Sequence, residues 1–227
     1  DRRDFDFDNK FYPNRAVQKG LISLRQINNL SYIAILLMII IAGSFSFLSL
    51  TIFTLLILYT LIAKKDFFLP KDFKEKHLFG YNFLNMLQIL SLQIFIYVSI
   101  IDSLDFTHFI YSHILFVFIL SIQVEISRKI KPEKSLANDL YSDRMGMGRS
   151  ILLWVVFGIF SILNSAYLAY IISIQPNTIL FLEFIMLLLF FIGGTLYYLK
   201  KSLTYENYFL ATMILTYLGQ NLFLAYA

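Results

Sequence analysis

The sequence predicts an all-α bundle of membrane-spanning helices, about seven of them, and three observations predict it. Mean hydropathy is +0.68 and 58% of the 227 residues are hydrophobic, more apolar surface than a soluble domain of this size needs. Charged residues make up only 15% of the chain and are clustered. No charge falls between Arg25 and Lys64, between His77 and Asp102, or between Arg149 and Glu183. A helix crossing the hydrocarbon core needs about 20 mainly apolar residues, so each gap holds at least one span.

The stretch from Gln26 to Ala63 is too long for a single crossing, and Gly43-Ser44 offers a break. It therefore predicts two helices, about Ile22–Gly43 and Ser46–Ala63. Five more follow at about Leu78–Ile101, Thr107–Val124, Ser150–Ile174, Ile179–Leu199 and Glu206–Tyr226. Long unbroken apolar runs suit helices, whereas the strands of a membrane barrel alternate lipid-facing with lumen-facing residues. The whole chain, 1–227, reads as a single membrane-embedded domain.

Charge in the connections sets an expected orientation. Segments 1–25, 64–76, 125–149 and 200–206 carry six, five, six and two Lys or Arg, together all 19 in the chain. The opposite connections, near Ile101–Phe106 and Gln175–Asn177, carry none, and the first holds Asp102 and Asp105. Basic loops stay on the cytoplasmic side, so the four charged segments are expected there. The net charge of +4 then reflects topology and lipid headgroup contact and calls for no nucleic-acid partner. Cysteine is absent, which excludes disulfides, thiolate metal sites and cysteine nucleophiles. His77, His108 and His113 have no metal-ligand spacing and read as loop or interfacial residues.

Orientation does not account for the acidic opening, DRRDFDFDNKFYPNRAVQKGLIS. Asp1, Asp4 and Asp8 are spaced i, i+3, i+7, which on a helix confines them to about a sixth of a turn, with Asp6 pointing elsewhere. Three carboxylates so close call for a cation, and oxygen-only ligands favour Mg²⁺. The same spacing also suits a solvated acidic helix end. Arg15 and Lys19 follow as cations suited to phosphate oxygens, and Gly20-Leu21-Ile22-Ser23 leads directly into the first apolar run.

A second mixed loop reads EISRKIKPEKSLANDLYSDRMG, from Glu125 to Gly146. Glu125, Arg128 and Lys129 share one helical face, and Asp139, Tyr141 and Ser142 follow Pro132. Such a face can be a self-paired surface helix. Two polar loops abutting apolar spans on one side point instead to one shared cavity.

These residues resemble the UbiA-type intramembrane prenyltransferases. That family carries an Asn-Asp-x-x-Asp-x-x-x-Asp motif, then Pro-x-Arg and a Gly-Leu-Ile/Val-Ser-like helix entry. Asp1, Asp4, Asp8, Pro13, Arg15, Gly20 and Ser23 fit it position for position. The Glu-x-x-Arg-Lys-Ile and Asp-x-Tyr-Ser pattern of Glu125, Arg128, Lys129, Ile130, Asp139, Tyr141 and Ser142 is similar to that of a bacterial branch. Arg128 stands where the commoner second motif of the family has an acid. Members have nine helices with the first motif after the second, so the resemblance implies that this chain is a fragment lacking the first two.

What the resemblance implies is transfer of an isoprenyl group from its diphosphate to an acceptor that is aromatic, quinone-precursor or lipid-like, at a cytoplasm-facing site in a bacterial inner membrane. Asp1, Asp4 and Asp8 would hold Mg²⁺. Arg15, Lys19, Arg128 and Lys129 would bind the diphosphate and stabilise its departing charge, with Glu125, Asp139 and Tyr141 completing the site. The allylic cation needs a dry pocket with electron-rich rings, for which Tyr59, Tyr81, Tyr97 and Tyr141 are candidates. Two other classes remain open. A CDP-alcohol phosphotransferase would carry Asp-Gly-x-x-Ala-Arg, which is absent. A transporter or scaffold explains the helices but not the paired loops. Glu183, inside a span, is an intramembrane acid read as snorkelling or structural.

Overall fold

The structure, a computed structural model, describes residues 5–70, 73–134 and 139–226. Among these residues there are ten α-helices and no strand. They are α1 (Phe5–Phe11), α2 (Leu24–Phe45), α3 (Phe47–Ala63), α4 (Phe73–Lys76), α5 (Leu78–Ile101), α6 (His108–Arg128), α7 (Tyr141–Met145), α8 (Met147–Ile171), α9 (Pro176–Lys200) and α10 (Leu203–Tyr226), with a 3-10 turn at Asp66–Phe68. The seven long helices are those the apolar runs predict, and the protein is an all-α polytopic bundle. Five are long and apolar enough to cross a membrane: α2, α5, α6, α8 and α9. The apolar α3 has 17 residues, about 25 Å at 1.5 Å per residue, somewhat short of the ~30 Å hydrocarbon core. Helix α10 mixes Glu206, Gln220 and Asn221 into its apolar residues.

The break between α2 and α3 falls at Ser46, not at Gly43-Ser44. Gly43 stays helical, and Ser44 Oγ donates back to the Ile41 carbonyl at 2.7 Å. A glycine in a helix interior costs only about 1 kcal/mol, too little to end a helix whose apolar face is otherwise continuous. Ser46 does end it. Its backbone is extended (φ −167°, ψ 167°), and its Oγ accepts from the Ser49 N–H at 3.0 Å, satisfying one of the orphan donors that every helix start exposes. Ser23 opens α2 in the same manner. It accepts from the Gln26 N–H while the Gln26 side chain accepts from the Ser23 N–H, a reciprocal capping box. Helix α6 runs to Arg128, a turn beyond the predicted Val124, so Glu125 and Arg128 are helical.

The chain divides into two compact units, one of Asp1–Phe73 with Ser91–Leu104, the other of Lys74–Leu90 with Asp105–Ala227. In the first, α2 packs on α3 and the buried cluster is Ala42, Phe53 and Phe95, the two rings 5.1 Å apart between centroids. Much of α2 is exposed, including Leu30, Tyr32, Leu36 and Ile40, as expected of a helix whose surroundings are lipid.

In the second unit α6 packs on α8, α8 on α9, and α9 on α10. Trp154 sits between Phe190 and Phe209, with ring centroids at 4.7 and 4.4 Å, and Tyr197 stacks on Phe209 at 5.0 Å. Close approach of the helices depends on small residues, the usual device where lipid gives no hydrophobic drive to association. A Cβ at Gly158 would lie 2.9 Å from both Gln123 Nε2 and Phe190 Cε1, and one at Gly193 would collide with the Thr212 hydroxyl.

Candidate functional site

In the first unit, the acidic opening forms the short helix α1, whose Asp8 is buried while Asp6 is exposed. Asp8 Oδ2 accepts from Arg15 Nη1 at 2.6 Å, a charge-assisted bond of the short, strong kind. The Arg15 guanidinium also lies over the Tyr12 ring, 4.6 Å from its centroid, so the arginine is held from two sides. The chain then turns through residues 12–23, with Gly20 at φ +71°, a left-handed conformation that glycine adopts without penalty. Lys19 is exposed on this turn. Asp1 and Asp4 lie outside the described residues.

Of the proposed oxygen ligands, Asp8 is thus the one whose surroundings can be read. It is an acceptor-only carboxylate out of bulk water, the donor type a hard cation takes, and it already shares its charge with Arg15. Among the described residues no group of three or more His, Cys, Asp or Glu is placed to hold a metal ion.

In the second unit, the end of α6 carries Glu125, Arg128 and Lys129. Lys129 Nζ lies 3.0 Å from Glu125 Oε1, and Arg128 Nη1 3.8 Å from Glu125 Oε2. The two bases differ in setting: Arg128 is 72% exposed, Lys129 23%. Lys129 also donates to Asn82 Oδ1 at 3.0 Å, and Asn82 Nδ2 donates to the Tyr141 hydroxyl oxygen at 2.9 Å. Asn82 and Tyr141 are both buried. A chain of four side chains, Glu125–Lys129–Asn82–Tyr141, therefore links the start of α5, the end of α6 and α7. Burial pushes the Tyr141 hydroxyl up to about 12, the Asn82 bond opposing this and the Glu125 charge adding to it.

The backbone supports the same arrangement. The Tyr141 N–H donates to the Lys129 carbonyl at 2.8 Å, and the Lys131 N–H to Ser142 Oγ at 3.0 Å, pinning both ends of the 130–140 connection. Tyr197, at the end of α9, donates its hydroxyl to the Ile130 carbonyl at 2.9 Å, and Lys131 pairs with Glu206 of α10 at 3.5 Å. Five helix ends are thereby tied together on one side of this unit. Asp139 is half-buried just ahead of α7.

Sequence reasoning missed Asn82, Tyr197 and Glu206. Asn82 carried a signal, since an amide side chain at membrane depth requires a partner, but nothing in the sequence tells which. Between α8 and α9, near Tyr198, an open apolar groove of about 280 Å³ is lined by Gly148, Ile151, Val155, Gly194 and Thr195. No protein-family model, curated protein or solved structure matches this chain.

Proposed function

We propose that the protein transfers an isoprenyl group from a prenyl diphosphate to an acceptor at the polar ends of its helices. The observation that carries the reading is Lys129, a largely buried ammonium held between Glu125 and Asn82 at the edge of an apolar helical unit, with the exposed Arg128 one residue away. A buried point charge beside an exposed guanidinium suits a diphosphate, whose charge grows as the carbon–oxygen bond breaks. Asp8, with Asp1 and Asp4, would hold Mg²⁺, which when bound neutralises negative charge on phosphate oxygens. Arg15 and Lys19 are the bases of the same motif, and Asp139 and Glu125 are the acids of the second loop. Glu125 orients Lys129 through their 3.0 Å ion pair. Tyr141, neutral at physiological pH, orients Asn82 and hence the lysine. The groove between α8 and α9 has the apolar lining that a hydrocarbon tail requires.

In this reading the basic loops face the cytoplasm and the membrane is a bacterial inner membrane. A labelled prenyl diphosphate offered with a panel of aromatic acids, quinone precursors and lipid alcohols tests it. Transfer of label to one acceptor, dependent on Arg128 and Lys129, is the expected result; no transfer from the full-length protein to any of them would discard the reading. A transporter is the second reading, favoured by the buried acid Glu183, and accumulation of a solute in vesicles without covalent change would identify it.

A further inference from the structure

Glu183 does not snorkel. It is 7% exposed, on a helix that packs against α8 and α10, both of which carry buried polar side chains. Helix α8 brings Ser161 and Ser165, and α10 brings Thr216 and Gln220, each pair at i, i+4 and all but fully buried. Two of these are satisfied within their own helices, Ser161 Oγ by the Gly158 carbonyl and Thr216 Oγ1 by the Thr212 carbonyl, both at 2.8 Å. The other two meet the acid. Gln220 Nε2 donates to Glu183 Oε2 at 3.4 Å, and Ser165 lies beside the same carboxyl. Three oxygens remain buried without a partner: Glu183 Oε1, Ser165 Oγ and Gln220 Oε1.

The Ser165 hydroxyl and the Gln220 amide are neutral donors, so the unmet requirement is for positive charge. An ionised carboxylate in a dry interior is expensive unless paired. Among the described residues, no cationic side chain of the packed helices reaches it. The only charged residues of α8 and α10 are Arg149 and Glu206, and α9 adds Lys200. Each is at the opposite end of its helix, roughly 20–25 Å away along the axis. The tyrosines of α8, Tyr167 and Tyr170, are exposed, as is Tyr217 of α10; Tyr205, Tyr208, Tyr197 and Tyr198 belong to the far end. We propose that Glu183, Ser165 and Gln220 form an intramembrane site for a single positive charge, a proton or an alkali-metal ion, bound where Oε1 and Ser165 Oγ are both unpartnered. A proton on Oε1 donating to Ser165 satisfies both atoms at once. A desolvated sodium ion does so through its oxygen ligands. The site stands whether or not the protein transfers prenyl groups.

Infrared difference spectroscopy on the purified chain, wild type against Glu183→Gln, reads the site directly. In neutral buffer with choline as the only added cation, the wild type is expected to show a protonated-carboxyl stretch that the variant lacks. Persistence of that band when sodium chloride replaces choline chloride assigns the proton; its loss in sodium, with a sodium-dependent rise in wild-type Tm that Glu183→Gln abolishes, assigns the metal ion. Absence of the band in choline means an ionised, uncompensated Glu183 and overturns the proposal. Should Glu183→Gln not fold, Ser165→Ala serves instead: it is expected to shift the band to higher frequency by removing the hydrogen bond, and an unmoved band would overturn the role of Ser165.

Discussion

Asn82 holds Tyr141 on one side and Lys129 on the other. Its Nδ2 donates to the tyrosine hydroxyl at 2.9 Å and its Oδ1 accepts from the lysine at 3.0 Å. One amide thus ties α5 both to the end of α6 and to α7, and fixes its own orientation, since only the observed placement of N and O serves both neighbours. Replacing it with leucine leaves a buried hydroxyl and a largely buried ammonium each short of a partner. The expected loss is about 1–3 kcal/mol, read as a lowered unfolding midpoint in detergent. Asn82→Asp, which keeps an acceptor for Lys129, should lose less; equal losses would mean that the lysine contact contributes nothing.

Tyr141 gives a pH signature. Its hydroxyl is pushed up to about 12 from 10.0, so the folded protein keeps a proton that the unfolded chain releases. Stability from this source is complete below pH 10 and is lost as the pH rises towards and through about 12. Unfolding midpoints of the wild type should therefore fall more steeply over that window than those of Tyr141→Phe. Below about pH 9 the two should show activity profiles of the same shape, because a neutral tyrosine supplies no titration there. An alkaline limb that vanishes in Tyr141→Phe would count against its positioning role.

The helical architecture was legible because uncharged runs and basic loops are local facts about membrane solvation. Helix α5 matches its predicted ends because His77 and Asp102 bound an apolar run with no charge inside it. At the α2–α3 break, glycine's weak helix propensity points to the wrong residue, whereas the decisive group is the Ser46 hydroxyl meeting the Ser49 N–H. The Glu125–Arg128–Lys129 face follows from helical spacing alone. The bonds of Asn82 and the burial of Glu183 do not, since both depend on which helices become neighbours across long sequence separations. An amide or an acid in an apolar run announces a partner without naming it.

Arg128 and Lys129 should separate function from folding. Arg128 is mostly exposed, so Arg128→Ala should change stability by less than about 0.5 kcal/mol. If it contacts phosphate oxygens, the same change should raise the apparent KM for prenyl diphosphate more than the Mg²⁺ concentration needed for half-maximal rate. Lys129→Met should instead lower stability as well, by leaving Glu125 and Asn82 without their shared cation. Identical effects at the two positions would show that the buried network does not distinguish them.

Orientation is testable without activity. Single cysteines at Asn177, near the start of α9, and at Lys134, between α6 and α7, both replace exposed residues. The clustering of Lys and Arg predicts that Asn177→Cys reacts with an impermeant maleimide in sealed cells and Lys134→Cys only after permeabilisation. The reverse pattern would invert the topology and remove the cytoplasmic site.

Asp8 and Arg15 allow a structural role of the first motif to be told apart from the proposed metal-binding one. The carboxylate is buried, the guanidinium half-exposed, and the pair is joined at 2.6 Å. Asp8→Asn weakens a charge-assisted bond, and with one partner in water the expected loss of stability is modest, roughly 1 kcal/mol. The expected loss of prenyl transfer is far larger, at least about 100-fold, since a metal ligand would be lost along with the bond. Asp6→Asn, at an exposed position on the same helix, should leave both nearly unchanged. The double exchange Asp8→Arg with Arg15→Asp keeps an ion pair but moves the carboxylate out of the helix. It should recover much of the stability and none of the transfer activity. Recovery of activity in the exchange would show that the pair itself, rather than a carboxylate at position 8, is what the reaction needs.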